Sequence, residues 1–285
     1  MDEGTTVLRL TAFASEPSGG NPAGVVLDAS ALSTSEMQQI ATDIGYAETA
    51  FVTRPATSLV PSRVGIRYFS PTAEVPFCGH ATIATAVALA NRGEAETFLF
   101  ETPIGEVKIE TQRTAAGTMA SFTSVEPRVE SMEEPVLQRL MTLLGIVAAD
   151  LHPHYPPRLS FAGNIHPVIV FAERSAFDSF TFDPDAMRAL MDERGWAGTV
   201  TTLYAISPLE FEACNLFPVG TMSEDPATGS AAASVGGYLR ALHLVGVPAR
   251  ITIHQGRHVG RPSILAVDIP ATGGIVVSGT ASVIQ

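Results

Sequence analysis

The chain has 285 residues, 46% hydrophobic and 16% charged, and its 29 acidic against 17 basic side chains leave a formal charge of −12. That length and apolar content suit two moderate cores better than one large one. The acidic balance lacks the basic footprint that nucleic acid or an anionic membrane surface demands, so the expected partner is a small molecule, held by local donors if it is anionic.

The N-terminal "MDEGTTVLRL" carries acids where a signal peptide carries lysines, and no uninterrupted apolar run reaches spanning length, which predicts a cytoplasmic protein. "GGNPAGVVL" (Gly19 to Leu27) follows, then a helix with Ser33 and Glu36 as a capping box, Met37, Ile40, Ala41 and Ile44 on one face, and Gly45 as terminator. Short strands "ETAFV" and "VGIRYFS" lead to a Cys-Gly-His turn that opens into "ATIATAVALA", a helix small or apolar on every side. A third helix near Pro135 to Leu144, with Leu137, Leu140, Met141 and Leu144, is expected at the junction of two halves.

The second half repeats the order. "AGNIHPVIVF" precedes a helix with Asp183 as N-cap, Pro184 at its first position, Met187, Leu190 and Met191 inward and Gly195 as stop. Strands "TTLYAIS" and "FEACNLF" then lead to "SEDPATGSAAASVGGYLRAL". Asn21 and Asn164 lie half a chain apart, so a duplicated unit is the better account. The expected fold is α+β: two pseudo-symmetric domains, each a mostly antiparallel, barrel-like β-sheet wrapped around a central helix. The first domain spans residues 1–125, with the C-terminal strand 275–285 available to complete it, and the second spans 126–274.

A helix buried along its length still has free N–H groups in its first turn, which carry partial positive charge and suit a carboxylate. Gly79 and Gly229 let a ligand approach the backbone at the two helix starts. Packing of the halves about a pseudo-twofold axis would point both starts into one cleft, with Cys78, His80, Asp225, Thr228, Ser230 and Glu48 as its candidates. Glu48 heads an apolar strand, and its counterpart in the second half is a Thr near position 201. A carboxyl there with a raised pKa would suit a group that takes and gives protons. Each residue also has a plain reading: Glu48 as a surface acid, His80 bonded to a loop carbonyl, Asp225 as a turn residue, Ser230 as a helix start, Cys78 and Cys214 as small buried hydrophobes. The histidines show no paired zinc motif, and neither GxGxxG nor GxxxxGK[ST] occurs, so no metal and no cofactor are expected. Both cysteines are read as reduced thiols.

"GGNPAGVV", "AETAFV", "RYFSPTAEVPFCGHATIATA" and "EDPATGSAAA" together resemble the PhzF-like phenazine biosynthesis family, within the wider fold of diaminopimelate epimerase and proline racemase. The resemblance runs from about Leu8 to the final strands. It implies a catalytic acid/base at Glu48, with His80 and Asp225 as the further catalytic positions. Asn21, Cys78, Gly79, Thr228, Gly229 and Ser230 fall at substrate-binding positions. Cysteine-dependent epimerases of the wider fold place a thiol at each helix start; here Cys78 has Ser230 opposite, which disfavours a two-thiol racemase. The implied activity is a cofactor-independent isomerisation that shifts a proton within a small carboxylated, cyclic or unsaturated substrate, in a protein that family habit makes a homodimer. The alternatives are a non-catalytic or regulatory binding protein, a cysteine-dependent epimerase, and a Ser230, His80, Asp225 hydrolase without a GxSxG elbow. The segment from Thr114 to Tyr155 is expected to shape the substrate.

Overall fold

The computed structural model describes residues 5–57, 61–115, 117–219 and 222–284. The ends of the expected first domain (1–4 and 285), position 116 of the segment expected to shape the substrate, and 220–221 fall outside them. The chain divides into two compact units, Met1–Thr123 with Ser278–Gln285, and Ser124–Val277.

The first unit contains β1 (Leu8–Ala12), β2 (Asn21–Val26), α1 (Thr34–Ile44), β3 (Glu48–Arg54), β4 (Ser62–Phe69), β5 (Glu74–Val75), α2 (Gly79–Asn91), β6 (Thr97–Thr102), β7 (Gly105–Thr114) and β8 (Gly117–Thr123). The second contains β9 (Arg128–Ser131), α3 (Glu134–Leu144), β10 (Arg158–Phe161), β11 (Ile165–Phe171), α4 (Arg174–Ser179), α5 (Pro184–Arg194), β12 (Val200–Ser207), β13 (Glu210–Val219), β14 (Met222–Asp225), α6 (Gly229–Ala241), β15 (Ala249–Gln255) and β16 (Ser263–Ile269). The last strand, β17 (Val276–Val283), ends in the first unit.

In the first unit the ladder runs β1, β2, β3, β4, β6, β7, β8, β17 and back to β1, where Leu10 pairs with Val283, so eight strands close into a barrel. In the second, β9, β10, β11, β12, β13, β15 and β16 form the corresponding ladder. Most pairings are antiparallel, but β2 with β3, β4 with β6, β11 with β12, and β13 with β15 are parallel. A helix lies between the partners in each of these four cases, as a parallel connection requires.

The barrel interior explains the bland helices. Every α2 residue from His80 to Leu89 is buried, with Ile83, Val87 and Leu89 at 1% exposure or less. Each such aliphatic chain contributes about 1.5–3 kcal/mol of burial. Thr82 and Thr85 satisfy their hydroxyls on the carbonyls of Cys78 and Ala81 (2.7 and 2.8 Å). Around α6 the fit is tighter. A methyl placed on Gly237 would stand 2.5 Å from Pro127 Cβ, and one on Gly236 would stand 2.8 Å from Ile275 Cγ2.

The outer helices follow their sequence patterns. Ser33 caps α1 with the reciprocal Glu36 bond, and Gly45 ends it in the left-handed region at φ 69°. Asp183 accepts from the N–H groups of Asp185 and Ala186 at the start of α5. The helix expected at a junction, α3, instead belongs to the second unit, where Val136, Leu140, Met141 and Leu144 join Met187, Leu190 and Met191 of α5 in one apolar cluster. Its amphipathic face demanded an apolar partner, and α5 supplies it. No described helix is long and apolar enough to cross a membrane.

Candidate active site

In the first unit the chemistry gathers at the start of α2. Phe77 is set edge-on against Tyr68 and Phe122 (centroids 6.0 and 5.9 Å apart), which fixes the approach of the chain to Cys78. Cys78 is the N-cap in an extended conformation, and no side chain caps the first turn of α2. The leading N–H groups therefore stay available to an anion, in the field of the helix dipole.

Glu48, the first residue of β3, sits opposite Ala23 of β2. Its side chain is 15% exposed, and its Oε2 lies 3.4 Å from His80 Nε2 and 3.5 Å from Cys78 Sγ, whose thiol donates to it. Asn21, buried at the start of β2, donates its amide to His80 Nδ1 (3.1 Å). The other ring nitrogen, Nε2, is the one that faces Glu48. Burial pushes the His80 pKa down to about 4, against the opposing pull of the Pro22 carbonyl, so the ring is neutral at pH 7. Asn21, Glu48, Cys78, Gly79 and His80 thus form one cluster.

In the second unit Asp225, Thr228, Gly229 and Ser230 gather at the start of α6. Thr228 is the N-cap, and again no side chain caps the helix. Thr228 Oγ1 donates to Asp225 Oδ2 at 2.5 Å. Gln255 accepts from the Thr228 N–H (3.1 Å) and donates to the Asp225 carbonyl (2.6 Å). Asp225 is only 8% exposed, and its Oδ2 accepts the bond that ties it to the N-cap of α6.

The sequence reading passed over His166. It is fully buried, with Nε2 3.1 Å from Ser230 Oγ, while the Thr199 N–H donates to Nδ1 (3.1 Å). Thr199 and Thr201 both donate to Asn215 Oδ1 (2.8 and 2.7 Å). Burial pushes the His166 pKa down to about 4, opposed by the Thr199 backbone, which makes the ring a poor base for Ser230. Nor is a carboxylate among the hydrogen-bond partners of His166, as a hydrolase would need. A signal existed in the sequence, since His166 interrupts the apolar run "IHPVIVF". Gln255 had none, because it arrives on a strand 30 residues beyond Asp225.

Strand register fixes which residues correspond. Tyr68 pairs with both Ala50 and Val75, and Asn215 pairs with both Thr201 and Asp225. Ala50 therefore aligns with Thr201, and Glu48 aligns with Thr199, two residues before the expected position. The N-cap counterpart of Cys78 is Thr228, and Ser230 aligns instead with His80.

Among the described residues three groups of donor atoms lie within 4.8 Å of one another: Glu48, Cys78 and His80; Cys214, Glu224 and His258; and Asp178, Glu212 and His258. The first is the cluster at the start of α2, and the other two lie away from the start of α6, on the opposite face of β13 and β14.

The family model described as phenazine biosynthesis-like protein (PhzC-PhzF) matches residues 10–285. An uncharacterized isomerase from Deinococcus radiodurans is 32% identical, covering 94% of this chain and 88% of its own. The trans-2,3-dihydro-3-hydroxyanthranilate isomerase of Pseudomonas aeruginosa is 30% identical, over 89% and 86%. Among solved structures, one described as a predicted epimerase from Pseudomonas aeruginosa superposes with a TM-score of 0.84 at 25% identity, covering 98% of this chain and 96% of the other.

Proposed function

Because this chain belongs to the phenazine biosynthesis-like family and is an isomerase, we propose that it shifts a proton between two carbons of a small, unsaturated carboxylate, with Glu48 acting as base and then as acid. The observation that carries this reading is the placement of Glu48 Oε2 against His80 Nε2 and Cys78 Sγ beside the uncapped start of α2.

The carboxylate of Glu48 takes a proton from a carbon adjacent to a double bond. The electron pair moves along the conjugated system, and Glu48 returns the proton at its far end. Atoms and electrons balance without an oxidant or a cofactor. Neutral His80, with Nε2 3.4 Å from Glu48 Oε2, holds Glu48 in place. The first-turn N–H groups at Gly79 are suited to a carboxylate and to charge that spreads onto it, and those at Gly229 and Ser230 are likewise suited to an anion. Asp225 acts through Thr228 as a positioning residue. The relative from Pseudomonas aeruginosa is named for a carboxylated ring bearing an amino and a hydroxyl group, and a substrate of that kind matches these donors.

A two-thiol epimerase finds no support in the register, since Thr228 stands where the second thiol belongs. The test is incubation with carboxylated cyclic dienes in deuterated water, scored by mass. Glu48→Gln should keep the fold by circular dichroism and lower label uptake by about 10²- to 10⁴-fold. Uptake within tenfold of wild type would remove Glu48 from the role.

A further inference from the structure

The second unit holds a cavity of about 310 Å³ under the connection from α4 to α5, against the face of β13 and β14 that points away from α6. Phe177, Phe180, Phe182 and Leu216 form its apolar wall, while Cys214, Glu224 and His258 also line it. Glu224 follows the strand alternation: Asp225 faces the start of α6, so its neighbour faces outward into this cavity. Glu224 is only 6% exposed, and its Oε1 has no hydrogen-bond partner among the described residues. Leaving such an oxygen unpaired is costly, which implies that something positive or hydrogen-donating completes it.

Two acidic clusters meet at His258, and they differ in their charge balance. Asp178 and Glu212 already hold a cation, because Arg257 donates to both and Arg174 donates to Glu212 at 2.6 Å. Arg257 also reaches His258 Nε2 (3.1 Å), but neither Cys214 nor Glu224 has a hydrogen bond to an arginine or lysine among the described residues.

We propose that Cys214, Glu224 and His258 bind a divalent metal ion of borderline softness, of which Zn²⁺ is the type. One thiolate, one carboxylate and one imidazole, with donor atoms all within 4.8 Å of one another, make three corners of a tetrahedron, and the fourth opens to the cavity. The His258 ring contacts Asp178 Oδ1 at 3.3 Å, the carboxylate contact that typically orients a ligating imidazole. Binding releases the Cys214 proton to solvent, with no redox change. The site does not depend on the isomerase reading.

The experiment uses the full-length chain carrying Cys78→Ala, which leaves Cys214 as its one thiol, and Co²⁺ as the probe. The expected result is a near-ultraviolet thiolate-to-cobalt charge-transfer band that saturates at one ion per chain and disappears when Zn²⁺ is added. His258→Gln and Glu224→Gln in that background should each weaken Co²⁺ binding about tenfold or more. Cys214→Ser should abolish the band; should that buried change prevent folding, the His258 variant, altered at a partly exposed ring, decides the matter alone. No band, or a band of unchanged affinity in the His258 and Glu224 variants, overturns the proposal.

Discussion

His166 offers a measurement of the buried network around α6. Its folded pKa is pushed down to about 4 from an ordinary 6.5, with burial the main cause. Above pH 6.5 the ring is neutral in the folded and the unfolded chain, and it adds no pH dependence. Between 6.5 and 4 the unfolded chain takes up a proton that the folded chain refuses, so stability falls as the pH falls. At pH 5 the loss is about 2 kcal/mol, and well below pH 4 it levels off near 3 kcal/mol. His80, pushed down to a similar value, adds a second share over the same window. The assay is urea denaturation of wild type and His166→Gln at several values between pH 7.5 and pH 5. Losing the bonds to Ser230 and Thr199 lowers the stability of the variant by a constant amount, which pH 7.5 records. The informative quantity is the slope: the variant should lose about 2 kcal/mol less than wild type on going to pH 5. Parallel slopes would show that His166 is not held neutral, and the account of its burial would fall.

Two further expectations follow from packing. Gly237→Ala gains helix propensity of about 1 kcal/mol, but its methyl meets the Pro127 ring at 2.5 Å, a clash expected to cost about 1–3 kcal/mol. A lower melting temperature is the outcome, whereas Gly246→Ala, whose methyl meets nothing within 4 Å, serves as the control; equal melting of the two would refute the fit. Gln255→Leu removes the bonds to the Thr228 N–H and the Asp225 carbonyl, at about 0.5–1.5 kcal/mol each. It should lower both the melting temperature and kcat/KM, and an unchanged melt would show that Gln255 does not brace the turn.

The architecture was legible where local chemistry dictates it. Capping residues, terminating glycines and one-faced apolar patterns located α1, α3 and α5, and the all-round small residues of α2 and α6 announced buried helices. Local signals cannot say which strand lies beside which. The parallel pairings, the closure of β8 and β1 by β17, and the attachment of α3 to α5 all arise from contacts distant in sequence. The short α4 escaped because six residues carry too little periodicity to be read. At the site, the residues near the two helix starts stood out because glycine and a reactive group share one turn. His166, Thr199, Asn215 and Gln255 converge around the start of α6 from four other places in the chain, so their contribution became visible only through the fold.

Register turns the duplication into an argument about chemistry. Three positions that hold proton-exchanging groups in the first unit hold hydroxyls in the second: Glu48 aligns with Thr199, Cys78 with Thr228, and His80 with Ser230. At a fourth the difference is reversed, since Val75 aligns with Asp225. His166 fills the second site from the strand position that aligns with Ala23, and Gly198 leaves it room, since a methyl there would stand 2.6 Å from the ring. A buried imidazole kept neutral and bonded to hydroxyls is a fixed hydrogen-bond partner, not a proton carrier. The start of α2 therefore gathers a carboxyl, a thiol and an imidazole, whereas the start of α6 gathers hydroxyls beside the Asp225 carboxylate. A single carboxyl that serves as base and then as acid, as proposed for Glu48, fits a cluster in which the other two proton-exchanging groups, Cys78 and His80, both lie against it.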